Sequence, residues 1–173
     1  YAYRILYALG RQEEAQERLH KYNSRYSSPY VLSLLADIEL AEYSDSTAIK
    51  YYDEALELDS SYSPALIGKA EACRMSRRYD EYFPALDRFV ENPAAGSAEK
   101  TDYLSELVEK SDPNFIRRFM PQIDTTMMKL SQAHPGDSLV YNIRGLYYFY
   151  TGRGKDALVQ FRECVDTYPE SYD

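Results

Sequence analysis

The sequence predicts an all-α protein built from antiparallel helix pairs, and three observations support that prediction. Ser28-Pro29, Ser63-Pro64 and Asp112-Pro113 each place an oxygen that can cap a helix before a proline, the residue favoured at the first helical position. Apolar residues in the segments that follow recur with a period near 3.6. No stretch alternates strictly between apolar and polar residues for more than a few positions, as a half-buried strand would.

The composition is that of a folded globular chain, and it argues against two kinds of partner. Of the 173 residues, 45% are hydrophobic and 28% are charged, which is far from the composition of a disordered segment. The formal net charge of −8 disfavours a nucleic-acid partner, because phosphate binding needs clustered Lys and Arg. No run of about 18 apolar residues is present, so we expect no transmembrane segment.

The cysteines and the start of the chain bear on its compartment. Cys73 and Cys164 both lie within apolar helical patterns and predict buried thiols rather than a disulfide framework. The chain begins at Tyr1 without a Met, a signal sequence or a transit pattern, which predicts a soluble fragment of a longer protein. Its acidic, lysine-poor and tyrosine-rich composition favours an extracytoplasmic (periplasmic) location in a bacterium.

The N-terminal half contains the clearest helix pairs. The stretch YALGRQEEAQERLHKY, residues 7–22, predicts the end of one helix, a turn at Gly10 and a second helix. After Pro29 the apolar residues predict one helix, and those in 48–58 predict its partner. We expect the polar stretch 43–47 to join these two helices.

Small residues repeat at a fixed interval. Ala36 and Ala70 both occupy the middle of a helix that follows a proline, and they lie 34 residues apart. This interval is the period of one helix-turn-helix repeat of the tetratricopeptide type, and the chain resembles that family. The match is fullest in residues 138–171, at the following positions: Tyr141, Gly145, Tyr148, Gly152, Ala157, Phe161, Cys164 and Pro169.

The resemblance implies a right-handed α-solenoid of tetratricopeptide-like helix pairs. Between Ala70 and Gly145 the spacing exceeds two periods by seven residues, so we expect one irregular repeat in the middle. Pro121 should kink or restart a helix inside that repeat. We therefore divide the chain into a truncated repeat, two repeats, a degenerate repeat and a last repeat: 1–28, 29–62, 63–96, 97–137 and 138–173.

Small residues also predict where helices approach closely. Two helices reach the short end of the usual interaxial range, about 8 Å, only where side chains are small. We expect contact seams at five such positions: Ala36, Ala48, Ala55, Gly145 and Ala157. Because no single pair buries its whole apolar face, stacking of neighbouring pairs supplies the missing surface.

The sequence offers no residue set for catalysis, a cofactor or a metal. His20 and His134 lie in separate repeats, each near the end of a predicted helix, where the helix dipole favours a partly charged imidazole. Neither a Cys-x-x-Cys pair nor a His-Glu-x-x-His stretch is present. Residues 152–154 (GRG) lack the strand and the further glycines of a phosphate loop, so we interpret them as a turn. We predict that the chain is not an enzyme.

The resemblance also implies a binding surface. In the family the first helix of each repeat lines a concave groove. Carried over by position, this assigns eight residues to a peptide-binding groove: Tyr30, Asp37, Glu71, Arg74, Met75, Asn142, Phe149 and Tyr150. Ser33 falls on the same predicted face. The mix of aromatic, aliphatic and isolated charged side chains suits an extended or helical peptide, because aromatic and Arg anchors dominate binding energies.

These observations predict a non-catalytic protein-protein interaction scaffold whose groove binds a peptide or protein segment. One alternative is a structural spacer whose groove is occupied by other parts of a longer chain. Another is the repeat arm of a larger enzyme or signalling protein whose active domain lies elsewhere. We also expect end-to-end self-association, because a missing neighbouring repeat would leave an apolar face exposed.

Overall fold

The protein is all-α in the computed structural model, which describes residues 5–6 and 8–169. The described part leaves out residues 1–4, 7 and 170–173. Both ends of the predicted repeat array therefore lie outside it. Ten helices of six or more residues and no strand occur in the described part of the chain. The chain divides after residue 86 into two compact units. The predicted fold class, all-α with tetratricopeptide-like helix pairs, is confirmed.

Helices α1 to α5 begin in the first unit, and α6 to α10 lie in the second. The first five are Gln12–Asn23 (α1), Pro29–Ala41 (α2), Asp45–Leu58 (α3), Ser63–Met75 (α4) and Tyr79–Glu91 (α5), of which α5 continues past residue 86. The others are Ser97–Lys110 (α6), Pro113–Arg118 (α7), Met120–Ala133 (α8), Ser138–Tyr150 (α9) and Gly154–Thr167 (α10). The irregular segment at about 97–137 thus holds three helices, where a regular repeat holds two.

Proline-linked helix starts are confirmed at two of the three predicted positions. The Ser28 hydroxyl accepts a hydrogen bond from an amide of the first turn of α2 at 3.3 Å, and the Asp112 carboxylate does the same for α7 at 2.7 Å. The prediction that Ser63 caps α4 is wrong, because α4 begins at Ser63 itself and Tyr62 before it supplies no side-chain cap. Pro64 then occupies the second helical position, where an N–H has no intrahelical partner in any case.

One linker prediction is wrong, and one proline prediction is confirmed. The linker predicted at 43–47 is shorter, because α3 already begins at Asp45. Tyr43 adopts a left-handed backbone with φ 61°, which reverses the chain in this short connection. Pro121 restarts a helix as predicted: α7 ends at Arg118, and Pro121 is the second residue of α8.

Small residues mark buried helix contacts, as predicted. In the first unit α2 packs against α3 and α4, and α3 packs against α4. Leu19 of α1 joins this core beside Val31 of α2. Four predicted seam positions are alanines, and all are buried: Ala36, Ala48, Ala55 and Ala157.

A tyrosine ring rests on a glycine between α3 and α4. The Tyr52 side chain is 1% exposed, and a Cβ atom added at Gly68 would lie 2.4 Å from its ring, far inside van der Waals contact. The Tyr52 hydroxyl donates a hydrogen bond to the Asp37 carboxylate at 2.5 Å, which ties the ring to α2 as well. One side chain therefore connects three helices of the first unit.

The second unit uses a phenylalanine in the same way. Helix α9 packs against α6 and α10, and a Cβ atom added at Gly145 of α9 would lie 2.5 Å from the Phe161 ring of α10. Ion pairs join two other helices of this unit, because Lys129 of α8 lies 3.1 Å from both Asp87 and Glu91 of α5. The unit is thus held by a close apolar seam and by a charged cluster.

Both cysteine predictions are confirmed. Cys73 and Cys164 are buried thiols, and the Cys164 sulfur lies 3.7 Å from the Ser138 carbonyl oxygen. Burial raises the pKa of the Cys73 thiol, so it stays protonated. Within residues 5–6 and 8–169, no helix is both long enough and apolar enough to cross a bilayer.

A fully buried lysine lies in the second unit. Lys100 of α6 is 0% exposed, and its Nζ atom lies 2.9 Å from Nε2 of His134, which follows α8 directly. Burial lowers the pKa of Lys100, and burial together with the Lys100 charge lowers the pKa of His134. The neighbouring carboxylates of Glu99 and Asp137 oppose these two shifts. The helix-end position predicted for His134 is confirmed, whereas its contact with Lys100 was not predicted.

Gly68→Ala should destabilise the protein. The added methyl group would press on a ring that is buried and tied to Asp37, and overpacking of this kind costs about 1 to 3 kcal/mol. Urea denaturation measures the free energy of unfolding. The matched control is Gly154→Ala, where nothing lies within 4 Å of the added atom. Equal free energies of unfolding for the two variants would refute the close contact at Gly68.

Stability should fall as the pH is lowered from about 7 to about 5, through the ordinary titration range of histidine. A histidine whose pKa is lowered by folding binds more protons in the unfolded state, so acid favours unfolding. His134→Gln keeps an oxygen that can accept from Lys100 but cannot take up a proton. Its stability should therefore fall less over this range, as measured by urea denaturation at each pH.

The matched control is His20→Gln, which makes the same change at the exposed histidine of the first unit. Its fall in stability is the reference against which the fall for His134→Gln is judged. If His134→Gln loses as much stability on acidification as His20→Gln does, the Lys100–His134 contact does not contribute to the pH dependence.

Candidate functional site

Four of the five groove residues predicted in the first unit lie on α2 and α4, which pack against each other, and Tyr62 directly precedes α4. We call these residues together the α2–α4 face, which consists of Tyr30, Asp37, Tyr62, Glu71 and Arg74. Tyr30 and Asp37 are exposed, whereas the other three side chains are half-buried. Burial raises the pKa of both Tyr62 and Tyr52, and the charge of Asp37 raises both further.

Two other residues were expected on the groove face of this unit, Ser33 and Met75, and they differ in exposure. Ser33, predicted on the groove face, is 4% exposed, and its hydroxyl has no hydrogen-bond partner among the described residues. Ser33 is buried because α2 packs against two helices, α3 and α4. More of the surface of α2 is therefore covered than in a single helix pair. Met75 is the last residue of α4 and is 43% exposed.

Asp37 has no cationic partner among residues 5–6 and 8–169. Within the described part of the chain its one hydrogen bond comes from the neutral Tyr52 phenol, at 2.5 Å. Burial raises the pKa of Asp37, and the Tyr52 hydrogen bond only partly offsets that rise. Burial also raises the pKa of Tyr52, and Asp37 and Glu71 add to the rise, so the phenol keeps its proton.

The two cations of α4 are engaged by acids. Arg74 donates from Nε and Nη2 to the two carboxylate oxygens of Glu71, at 2.9 and 2.5 Å. Such a bidentate pair is among the stronger side-chain contacts, and it fixes the guanidinium on its own helix. Lys69 donates to Asp53 of α3 at 2.5 Å. The α2–α4 face therefore presents an acidic and aromatic surface.

In the second unit one predicted groove residue lines a pocket. Tyr150 is the last residue of α9 and is 56% exposed. The pocket beside it, which we call the Tyr150 pocket, has a volume of about 290 Å³. Its walls come from the ends of α6 and α9, from α7, and from the start of α8: Val108, Glu109, Ser111, Pro113, Ile116, Arg117, Met120, Tyr150 and Thr151.

The pocket combines apolar walls with two unpaired charges. Val108 and Ile116 form buried parts of the wall, and Met120 adds a flexible thioether that can adapt to different side chains. Glu109 and Arg117 are exposed, and neither forms an ion pair with any residue that the structure describes. The volume lies near the lower limit for ligand pockets, about 300 Å³, so it suits one or two side chains better than a large organic cofactor.

Local sequence signals place the walls of this pocket. Asp112 caps α7 and Pro113 begins it, which fixes the short helix beside the end of α6. Helix α9 ends at Tyr150 because Gly152 adopts φ 76°, and the Thr151 hydroxyl donates to a carbonyl of the last turn at 2.7 Å. The pocket is thus bounded by two helix ends that the sequence specifies.

The other two predicted residues of the second unit are exposed and lie outside the pocket wall. Phe149 is 65% exposed, and its ring meets Tyr150 edge to face with centroids 5.9 Å apart. Asn142 is exposed on the same helix. Helix α9 therefore ends in an exposed aromatic pair next to the pocket.

Sequence reasoning missed most of the pocket. Seven of its lining residues lie between 108 and 120, in the segment interpreted as a degenerate repeat. The family pattern assigns no groove position there, so the resemblance could not find them. The two prolines, Pro113 and Pro121, could have indicated the pocket. A helix that lies between them is too short to fill the space between the neighbouring helices.

Neither surface has the composition of a metal site. No group of three or more His, Cys, Asp and Glu side chains suited to a metal ion occurs among residues 5–6 and 8–169. The α2–α4 face has two carboxylates, and one of them is bound to Arg74. The Tyr150 pocket has a single carboxylate, that of Glu109.

Comparisons with known proteins give the fold. No protein-family model and no curated protein matches the chain. Among solved structures, it is similar to the MamA RS-1 ArsTM double mutant, with a TM-score of 0.59 and 16% identity over 99% of this chain and 93% of that one. It is also similar to MamA from Desulfovibrio magneticus RS-1, with a TM-score of 0.52 and 15% identity over 99% and 94% of the two chains.

A further solved structure with a lower TM-score is that of YrrB, a TPR protein. Its TM-score is 0.44 and its identity 18%, over 90% of this chain and 94% of that one. At identities this low, likeness to solved structures establishes the fold and nothing beyond it. The likeness to the MamA structures supports an all-α fold of paired helices, as the sequence predicted.

Proposed function

We propose that the chain is a non-catalytic scaffold that binds a peptide segment of a partner protein. The Tyr150 pocket is the observation that carries this proposal, because it offers apolar walls beside an exposed aromatic pair. Buried aromatic and aliphatic anchors supply most of the binding energy in protein interfaces. In this proposal an apolar side chain of the peptide fills the pocket, and Glu109 and Arg117 contact its polar neighbours.

The eight predicted groove residues then belong to two binding surfaces. Asn142, Phe149 and Tyr150 extend from the pocket along α9. The others contribute to the α2–α4 face or to its border: Tyr30, Asp37, Glu71, Arg74 and Met75. Each surface presents exposed aromatic side chains together with charges, a composition typical of protein-binding sites.

The alternatives from the sequence make different predictions for the same surfaces. In a spacer, or in the repeat arm of a larger enzyme or signalling protein, the pocket would bind no external peptide. The extracytoplasmic location expected from the composition remains part of the proposal, and it bears on where a partner would be met rather than on how it binds.

Tyr150→Ala should weaken peptide binding at least tenfold, because truncating a central aromatic anchor costs more than about 1.4 kcal/mol. Peptides are first selected on the unaltered chain from a random phage-displayed library, and the affinity of each is then measured by isothermal titration calorimetry. The matched control is Tyr26→Ala, at a tyrosine that is 64% exposed in the first unit. It should leave the affinity unchanged.

Two outcomes would contradict this proposal. Equal affinities for Tyr150→Ala and Tyr26→Ala would remove the pocket from the binding site. A selection that enriches no peptide sequence would favour the spacer.

We also propose that the outer face of α10 associates with another copy of the chain. Leu158 and Val165 are 52% and 42% exposed and lie two turns apart on this face. Sedimentation velocity at rising concentration should show a growing dimer fraction, and Leu158→Glu with Val165→Glu should abolish it. Lys155→Glu, an exposed change at the start of α10, is the control. A monomer at every concentration would refute this association.

A further inference from the structure

The α2–α4 face has a negative charge, that of Asp37, which no cation among residues 5–6 and 8–169 pairs with. Asp37 is bound only to the neutral Tyr52 phenol within the described residues. The two cations of α4 pair with other acids, Arg74 with Glu71 on the same face and Lys69 with Asp53 of α3. A cation that docks beside the Asp37 carboxylate gains an electrostatic attraction, which is stronger the more completely docking excludes water.

The charge of Asp37 acts on two neighbouring phenols. Burial raises the pKa of Tyr62, and the carboxylates of Asp37 and Asp59 raise it further. Burial likewise raises the pKa of Tyr52, and its hydrogen bond to Asp37 and the charges of Asp37 and Glu71 add to the rise. Both phenols therefore stay neutral and leave the charge of Asp37 in place.

Aromatic rings complete the surface. Tyr30 is 55% exposed and precedes Asp37 by seven residues, about two turns of α2, so the two side chains lie on the same side of this helix. The half-buried Tyr62 lies close enough for the charge of Asp37 to raise its pKa further than burial alone does. Cations bind favourably over such rings.

The chemistry of these groups selects one kind of cation. A metal ion would need several charged ligands in one place, and no cluster of three or more potential ligands occurs in the described part of the chain. A guanidinium or ammonium group needs one carboxylate and an aromatic border, and both are present. Arg fits better than Lys, because its planar guanidinium stacks on rings while it hydrogen-bonds to a carboxylate.

We propose that the α2–α4 face binds an Arg or Lys side chain of a partner peptide, with Asp37 as its counter-ion and Tyr30 and Tyr62 as its aromatic border. The inference rests on the proposed peptide-binding function and adds a partner chemistry to it. A peptide recognised by this face carries an exposed basic residue.

The test uses the whole chain, labelled with ¹⁵N, and an acetylated and amidated pentapeptide with one Arg between Ala and Ser residues. Its matched probe replaces the Arg by citrulline, which has nearly the same shape and no charge. The Arg peptide should cause saturable shifts in the amide signals of Ser33, Asp37 and Tyr62. The affinity of the citrulline peptide should be at least tenfold lower, because losing a hydrogen bond between charged groups weakens binding by about that factor.

Asp37→Asn supplies the complementary test on the protein. The amide keeps an oxygen that can accept from Tyr52 and removes the charge, so the fold is retained while the Arg peptide binds at least tenfold more weakly. The control is Glu13→Gln, which removes one negative charge at an exposed position of α1 in the same unit. It should leave the affinity for the Arg peptide unchanged.

Three results would overturn the inference: equal affinities for the Arg and citrulline peptides, an affinity unchanged by Asp37→Asn, or no saturable shift in the first unit. The proposed function is judged separately, by peptides selected from the library and by Tyr150→Ala in the second unit. If those peptides bind at the Tyr150 pocket while the Arg peptide shows no charge preference, the scaffold function stands and the basic-residue preference falls.

Discussion

Contact between an aromatic ring and the backbone of a glycine is the interaction on which the rest of the structure depends. Tyr52 lies against Gly68 in the first unit, and Phe161 lies against Gly145 in the second. In both places a side chain as small as alanine would have to displace a ring. These contacts set how closely neighbouring helices approach, and so they decide which side chains are buried and which remain on the surface.

Tyr52 also connects the core of the first unit to its candidate binding surface. Its ring packs on α4, and its hydroxyl binds Asp37, the carboxylate at the centre of the α2–α4 face. A buried phenol next to a carboxylate keeps its proton and holds the acid in place without neutralising it. The packing that stabilises the unit thereby leaves a fixed negative charge at its surface, where a partner can reach it.

The two candidate surfaces offer complementary chemistry. In our proposals the Tyr150 pocket, with its apolar walls, receives a side chain by shape, whereas the acidic and aromatic α2–α4 face receives one by charge. Neither brings together a nucleophile, a base and an orienting group as an active site would. One fold can carry many different functions, so any binding function of this chain depends on the side chains that the helix pairs leave on their surfaces.

Regular repeats could be predicted from the sequence, and departures from them could not. The seam at Ala55 and the cap at Ser28 follow local rules of spacing and capping, and the structure has both. Ser33 is buried because a third helix packs on α2, and single-helix periodicity contains no information about that contact. The Lys100–His134 contact joins two segments of the irregular region, where no repeat pattern relates one residue to the other.

The most direct test of the account is an NMR measurement of intermolecular NOEs between the chain and a library-selected peptide. The Met120 methyl group lines the pocket and gives a resolved signal when methionine methyls are labelled with ¹³C. We predict NOEs from an apolar side chain of the peptide to the Met120 methyl group and to the Tyr150 ring. NOEs confined to other methyl groups, Met75 or Met128 for example, would contradict the claim that this pocket anchors a partner.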